Sequence, residues 1–401
     1  MIAGKPRDVA AMLTPEDLAA LDAADPLGRF REAFDLPEGV IYLAGNSLGP
    51  PPRAAADRLD ATVRREWGQG LVQAWTDCGW IEAPARVGGK IARLIGARPH
   101  EVIVADSTSV DLFKLIGAAL QAAPARGTLL GVRGEFPTDL YVAEGAATLT
   151  GRRLKLVERE GLEVALDPDV ALLVLTHAHY KTAELFDMAA VTARAHAVGA
   201  LVLWDLSHST GVAEVDLEGS GADLAVGCGY KYLNGGPGAP AYLYVAERHQ
   251  GRLASPLAGW MGHAAPFDFA EAYAPAPGIA RFLCGTPPIL SLAALEAGVD
   301  LMLQAEPAAM AHKARRLGDV FLELAATRCP ALEPICPGPG QLRGGHVAFR
   351  HPEARALLRA LIERGVVADF RGPDILRFGL SPLYVRFQDV AAAVEVLAKV
   401  L

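Results

Sequence analysis

Residues 201–238 read LVLWDLSHSTGVAEVDLEGSGADLAVGCGYKYLNGGPG. The stretch opens on the apolar run Leu201-Val202-Leu203-Trp204, which Asp205 closes. An unbroken apolar run ended by an acid and turn formers reads as a parallel strand covered on both faces, with its last side chain at the carboxyl edge of the sheet. A second short run, Leu224-Ala225-Val226, leads into Gly227-Cys228-Gly229-Tyr230-Lys231. It sets a lysine just past another strand, among glycines and a phenol. Open α/β sheets bind ligands along that carboxyl edge, so this acid and this lysine mark both the fold class and the place to look for chemistry.

Outward from this stretch, strands and helices alternate. Val102-Ile103-Val104 precedes a helix expected at about 108–122, and Leu129-Leu130-Gly131-Val132 precedes one near 139–149. Residues 154–157 and 171–176 read as strands, a helix follows near 188–199, and 241–245 is a further strand after the Lys231 loop. This alternation predicts an α/β fold with a mostly parallel, seven-stranded-type central sheet flanked by helices. Upstream, Thr14-Pro15-Glu16-Asp17 is an N-cap with proline at the first helical position, opening one or two short helices over 14–33. Residues 40–51 read as a short strand breaking into a turn-rich loop, and 53–95 as helical with an interruption around 76–79. After Pro287-Pro288 a helical pattern runs to about 326 with a break near Pro307. A smaller α+β domain follows, with strands near 346–350 and 375–380 and helices near 353–364 and 388–400. Residues 329–345, rich in Pro and Gly, are the loosest segment. The expected division is an N-terminal segment 1–54, a large domain 55–300 and a small C-terminal domain 301–401.

With 51% hydrophobic and 21% charged residues, the 401-residue chain has the composition of a globular protein with a large core. Its net charge of −8 implies no basic face and makes nucleic acid an unexpected partner. The five cysteines, Cys78, Cys228, Cys284, Cys329 and Cys336, form no CxxC pair, which points to reduced thiols in a cytoplasm. Residues 1–13 lack the apolar core of a signal peptide, and no apolar run reaches the ~18 residues of a membrane span.

The Asp205 and Lys231 pair suits pyridoxal 5'-phosphate (PLP): the lysine forms the Schiff base, and the acid pairs with the pyridinium nitrogen so that the ring acts as an electron sink. Lys231 lies in one of the least charged stretches of the chain. A lysine buried there without an anion would be costly, and a Schiff base removes the charge. Ser107-Thr108-Ser109, at a strand-to-helix turn, offers hydroxyls and free amides to an anion such as the cofactor phosphate; the alternative is plain N-capping. Phe136-Pro137-Thr138-Asp139 ends the next connection, where Phe136 either stacks on a flat ring or packs in the core. Asp205-x-x-His208 places two polar groups at the sheet edge. A metal set of His177, His179, Asp205 and His208 is the rival to PLP and lacks a carboxylate-rich partner set. No GxGxxG follows the first strand, and Gly88-Gly89-Lys90 lacks the upstream glycine and following hydroxyl of a P-loop. Arg377, inside the apolar strand Ile375-Leu376-Arg377-Phe378, asks for an anion: a substrate carboxylate, or an internal salt bridge.

Taken together these stretches resemble the kynureninase family, PLP enzymes of the fold type I aminotransferase superfamily. Leu43-Ala44-Gly45-Asn46-Ser47-Leu48-Gly49 is similar to the family's L-D-G-N-S-L-G, with Ala44 where Asp is usual. Asp106-Ser107-Thr108-Ser109-Val110, Phe136-Pro137-Thr138-Asp139, Thr176-His177 and Tyr180-Lys181-Thr182 resemble its cofactor-binding segments. The most specific matches are 204–209 and 228–238, and 259–263, 285–290 and 377–384 complete a pattern spanning 42–387. Related cysteine desulfurases share the Asp and the Lys but usually have His before the lysine, where this chain has Tyr230.

The resemblance implies that Lys231 carries PLP, that Asp205 pairs with the ring nitrogen, and that Thr108, Ser109, Phe136, Pro137, Thr138, Asp139, Thr176, His208 and Tyr230 help hold the cofactor. It implies a homodimer in which Trp260 and Thr286 reach the partner's phosphate. Arg377 takes the substrate carboxylate and Tyr230 is the proton donor of the later steps. The implied reaction is hydrolysis of L-kynurenine to anthranilate and L-alanine, with 3-hydroxy-L-kynurenine left open as a second substrate. Contacts to the substrate's aromatic ring are expected from the Trp75–Trp80 region and Gly285-Thr286. The competing readings are another PLP enzyme, such as a desulfurase or aminotransferase, and a non-catalytic binding protein on a PLP fold.

Overall fold

A computed structural model describes residues 13–401; the N-terminal stretch read for a signal peptide lies almost wholly outside the described residues. The organising element is a seven-stranded sheet of β2 (Val102–Ala105), β3 (Thr128–Val132), β4 (Arg153–Val157), β5 (Val170–Thr176), β6 (Leu201–Asp205), β7 (Leu224–Cys228) and β8 (Ala241–Val245), after the short β1 (Ile41–Tyr42). The order across the sheet is β2-β8-β7-β6-β5-β3-β4. All neighbours are parallel except those of β8, which runs antiparallel to β7 and β2. β8 returns directly from the 229–240 loop, and without a crossover helix the chain can only come back antiparallel.

Apart from the edge strand β4, the strands are buried on both faces, and their alternate residues enter different cores. Val102, Val104, Val202 and Trp204 pack with Val87 and Ile91 of helix Ala83–Ala92 and Ala195 of helix Met188–Ala197. Ile103, Leu203 and Val226 pack with Leu112 and Leu115 of helix Thr108–Ala122 and Ala143 of helix Pro137–Leu149. Fully burying each such side chain contributes roughly 1.5–3 kcal/mol, which makes the sheet the anchor of the fold. Helix Ala83–Ala92 approaches β2 so closely that a Cβ on Gly88 would sit 2.4 Å from the Val102 carbonyl oxygen.

The helical reading of 53–95 holds in outline. Helix Arg53–Ala61 continues through a wide π-turn at Thr62–Trp67, Leu71 takes a left-handed φ of 51°, and the break before Ala83–Ala92 spans 78–82. Downstream, helices Ile289–Met302 and Pro307–Arg328 are separated at 303–306, with Pro307 at the first helical position. β9 (Glu333–Pro334), β10 (His346–Arg350), β12 (Asp369–Arg371) and β13 (Ile375–Gly379) form an antiparallel sheet in the order β12-β13-β10-β9. Helices Ala354–Ile362 and Phe387–Val400 belong to the same region.

The N-terminal segment is sewn into this C-terminal part. β1 pairs in parallel with β11 (Val366–Val367), and the Leu43 N–H donates to Val367 O at 2.7 Å. The chain then turns at Ala44, whose carbonyl accepts from Ser47 and Leu48, so alanine in place of the family's Asp leaves the turn's backbone hydrogen bonds intact. Gly49 follows, its N–H donating to Tyr230 O at 2.8 Å. A Cβ there would lie 2.3 Å from Lys231 O, so only glycine lets this loop rest on the lysine's backbone.

Candidate active site

The carboxyl ends of β2, β3, β5, β6 and β7 open onto one cavity of about 260 Å³. It gathers Thr108, Ser109, Phe136, Thr138, Asp139, Thr176, Asp205, His208, Tyr230 and Lys231 in its lining, as the sequence expects, together with Ser107, Ala178, Tyr180 and Ser207. Pro137 is the first residue of helix Pro137–Leu149 and orients Thr138 and Asp139.

Lys231 is 8% exposed, and its Nζ lies 3.1 Å from His208 Nε2 and 5.7 Å from the ring centroids of Phe136 and Tyr230. Burial, followed by the Lys231 charge, holds His208 far below the usual imidazole range. Its ring is therefore neutral and its Nε2 accepts from the lysine, while Nδ1 has no partner. Asp205 ends β6 and is almost fully buried, with Oδ1 accepting from Ser207 N at 2.7 Å. At the opposite end of the cavity Ser107 precedes helix Thr108–Ala122 in extended backbone and makes no capping hydrogen bond. The Ser107 hydroxyl is therefore not consumed by the helix, and the free amides of a helix N-terminus favour an anion beside this part of the lining.

Two acids join Asp205. Asp139 is buried with Oδ2 unpartnered, and burial, reinforced by the Asp205 charge, pushes its carboxyl well above the usual range. Glu135, a residue the sequence reading passed over, accepts from the backbone N of Thr176 at 3.3 Å and from the Thr176 hydroxyl. Burial raises it to about 7, more than the Thr176 hydrogen bonds offset. The signal was one acid immediately before Phe136, and its meaning appears only when the ends of β3 and β5 lie side by side. Burial also pushes the Tyr230 phenol up, with Cys228 and Asp205 adding to it, so the chain's own groups keep Tyr230 neutral rather than tuning it down.

Arg377 stands apart. It is fully buried in β13, with Nε 2.7 Å from Asp369 Oδ1, Nη2 2.5 Å from Asp369 Oδ2 and 3.3 Å from Ser47 Oγ, and Nη1 donating to Tyr180 O. The internal ion pair that the sequence left as the alternative is thus built. Burial pushes the Asp369 carboxyl upward, and the Arg377 guanidinium more than reverses this. Trp260 and Thr286 also lie away from the lysine. Trp260 is 38% exposed in a short 3-10 turn, and Thr286 lines an apolar groove of about 470 Å³ with Trp67, Trp75, Trp80 and Leu290.

The rival metal set does not converge. The His177 ring packs edge-on to Trp204 at 6.2 Å, and His179 bonds to Gly134 O and Thr182 Oγ1, both at 2.9 Å. Among the described residues no group of three or more His, Cys, Asp or Glu is placed to hold a metal ion. PLP fits the groups that are present. Uncapped amides and hydroxyls suit its phosphate, a carboxylate suits its ring nitrogen, a lysine suits its aldehyde and Phe136 suits its face, and two buried polar atoms, Asp139 Oδ2 and His208 Nδ1, lack partners.

Comparison with known proteins places this geometry. Residues 310–397 match the family model described as the kynureninase C-terminal domain. The chain is 47% identical over 399 residues to kynureninase of Pseudomonas fluorescens, covering 97% of this chain and 96% of that protein, and equally to kynureninase of Burkholderia mallei. Among solved structures, a mutant of C-DES with glycine covalently linked to its PLP cofactor superposes with a TM-score of 0.80 at 17% identity, covering 92% of this chain and 98% of that one. Apo cysteine desulfurase from Thermococcus onnurineus gives 0.80 at 18% identity over 98% and 99%. The structural likenesses establish the PLP fold type I architecture, and the sequence identity decides among its members: the chain belongs to the kynureninase family.

Proposed function

We propose that the protein is a PLP-dependent hydrolase that cleaves the Cβ–Cγ bond of L-kynurenine to give anthranilate and L-alanine. The observation that carries this reading is the pairing of a buried, otherwise unneutralised Lys231 with Asp205 across one cavity, in a chain 47% identical to kynureninases over nearly its whole length. Bound PLP supplies an electron sink conjugated with the substrate amine. The chain's own groups do the rest. Asp205, at the end of β6, is the side chain that would hold the ring nitrogen. Arg377, fixed by Asp369, takes the substrate carboxylate on its Nη1–Nη2 edge once Tyr180 O and Ser47 Oγ, which hold that edge in the free protein, give way, and so aims the Cα proton at the Lys231 amine. Neutral His208 accepts a hydrogen bond from that amine and keeps it in place. Water adds across the γ-carbonyl; as the Cβ–Cγ bond breaks, the γ-carbon leaves as the anthranilate carboxyl, the neutral Tyr230 hydroxyl gives its proton to Cβ, and the proton lost by the hydrate restores the phenol.

The desulfurase alternative rests on structures at 17–18% identity, which carry the fold alone, and no cysteine lines the cavity. The presence of Lys231 and Asp205 in one cavity, in a chain 47% identical to kynureninases, argues against a non-catalytic binding protein. We also read the protein as a homodimer with shared sites. Support comes from Trp260 and Thr286 standing outside their own cavity, and from the exposed apolar residues Trp67, Leu71, Val72 and Leu290 around the Thr286 groove. The Trp75–Trp80 face of that groove then supplies contacts to the aromatic ring of kynurenine or its 3-hydroxy form. The division at 54/55 and 300/301 is supported by the separate β12-β13-β10-β9 sheet. No helix among the described residues is long and apolar enough to cross a membrane, and the five free thiols support a cytoplasmic site. The direct test is anthranilate fluorescence on adding L-kynurenine to protein with PLP: turnover is expected, and its absence, with L-cysteine desulfurated or an amino group transferred instead, would overturn the assignment.

A further inference from the structure

Lys114 is fully buried and belongs to no part of the cavity described above. It lies one and a half turns into helix Thr108–Ala122. Helical side chains lean toward the helix N-terminus, and this one carries its ammonium back to the turn that precedes the helix. There Nζ meets the carboxylate of Asp106, stands 3.4 Å from Asp111 Oδ1 and donates to Phe282 O at 2.8 Å. A cation at a helix N-terminus opposes the helix dipole, so its position is not explained by helix stability.

What it does is join two separate pieces of chain. On one side is Asp106, a non-glycine residue held at a left-handed φ of 41° immediately before Ser107-Thr108-Ser109. Its carbonyl is tied to the sheet by Ala241 N at 3.0 Å. The carboxylate thus fixes the entry into the anion-binding turn. On the other side is Phe282, where a 3-10 turn ends and the chain runs on to Thr286. Cys284, between them, sits with Sγ 3.4 Å from Asp106 Oδ2, and its carbonyl accepts from Met261 N at 3.2 Å. The Trp260 turn presses on the same carbonyl: a Cβ on Gly259 would lie 2.3 Å from it. One buried ammonium therefore braces the anion turn of its own subunit and the backbone that presents both Trp260 and Thr286.

We propose that Lys114 is a positioning residue that couples the two cofactor sites of the dimer, setting the phosphate-binding turn of its own subunit and the Trp260 and Thr286 segments that this subunit contributes to its partner. The inference rests on the PLP-binding, shared-site reading given above.

Hybrid dimers, made by co-expressing two differently tagged chains, separate the two effects, with PLP retention read by absorbance after dialysis. In the reference hybrid, wild type pairs with Lys231→Ala, so only the wild-type chain holds PLP covalently. In the first test hybrid, Lys114→Met pairs with Lys231→Ala, and the surviving site has an altered turn but intact partner segments. In the second, wild type pairs with the double variant Lys114→Met, Lys231→Ala, and the surviving site has an intact turn but altered partner segments. PLP is expected to leave both test hybrids about tenfold faster than the reference, the scale on which supporting residues act. Weakening in the first alone, or in neither, overturns the coupling. A reference hybrid that retains no PLP, or a wild-type chain that runs as a monomer, would instead remove the reading beneath it. If Lys114→Met fails to fold by circular dichroism, Asp106→Asn in the same two arrangements reads the same link, because it removes the carboxylate and leaves the Phe282 carbonyl.

Discussion

Arg377 is fully buried with its guanidinium fixed by Asp369, and the proposed function gives the same group to the substrate carboxylate. Its Nε–Nη2 edge is held by Asp369, and Nη1 and Nη2 also donate to Tyr180 O and Ser47 Oγ, so in the proposed role a substrate carboxylate displaces those two partners. Arg377→Ala should raise KM for kynurenine far more than it lowers kcat, and should also strip a buried carboxylate of its partner, costing about 3–5 kcal/mol in a denaturant titration. An unchanged KM would remove the carboxylate role. Arg377→Lys should not restore binding, because a point charge cannot keep both the Asp369 fork and the substrate. Glu135 makes a different prediction. With burial holding its carboxyl at about 7, above the 4.5 of an ordinary glutamate, it gains its proton on folding. It therefore stabilises least at high pH: the contribution is lost as pH rises from about 4.5 through about 7. Glu135→Gln should raise Tm at pH 8 relative to wild type and erase an ionisation near 7 from the kcat/KM profile; an unaltered profile would mean that Glu135 does not feel the site. At this scale the sequence was most legible where a residue type is unusual for its setting, as with Lys231, Asp205 and Arg377. Glu135 stayed hidden because a lone acid in a turn is ordinary until its neighbour strand is known.

Elements were legible in proportion to how locally they are determined. The inner strands of the main sheet are buried on both faces and so appear as unbroken apolar runs, which local sequence displays. β9, β11 and β12 are two or three residues long and exist because of distant partners, as when Ile41 pairs with Val366, so nothing local announces them. The strand ends opposite the cavity carry their own polar device. Asp223, next to β7, is buried and accepts from Val202 N at 2.9 Å, His249 Nε2 at 2.6 Å, His196 Nε2 at 2.8 Å and Arg248 Nη2 at 2.8 Å. Burial alone would raise its pKa; these donors outweigh that and hold it at about 2, below the 3.8 of an ordinary aspartate. A depressed acid stabilises fully above its unfolded value and loses that contribution as pH falls from about 3.8 through about 2. At about 1.4 kcal/mol per unit, the stake is roughly 2 kcal/mol. Asp223→Asn should lower stability at pH 7 and flatten the acid limb between pH 4 and 2, measured by urea unfolding; equal slopes for both proteins would contradict this.

At the scale of the whole molecule, the N-terminal loop links the lysine of the large domain to the arginine of the C-terminal sheet. The large domain supplies Lys231 and Asp205, the N-terminal loop rests on the lysine's backbone through Gly49, and the C-terminal sheet supplies Arg377, held to the same loop through Ser47. Sequence motifs named all three, but their connection needed the fold, because the separations run to more than three hundred residues. The apolar face around Trp67, Leu71 and Val72 belongs to this scale too. A contiguous exposed patch of this kind marks an interaction surface, and the shared-site reading assigns it to a second copy. Val72→Asp should shift the protein toward monomer in analytical ultracentrifugation and weaken PLP retention in step; a stable dimer with full retention would place the interface elsewhere.

The central claim is that Lys231 is the residue to which the cofactor is bound. Borohydride reduction of the PLP-loaded protein, followed by peptide mass spectrometry, tests it most directly. The account predicts one pyridoxyl adduct, on the peptide carrying Lys231, and its loss in Lys231→Ala. An adduct on Lys114, Lys181 or any other lysine, with Lys231 unmodified, would contradict it.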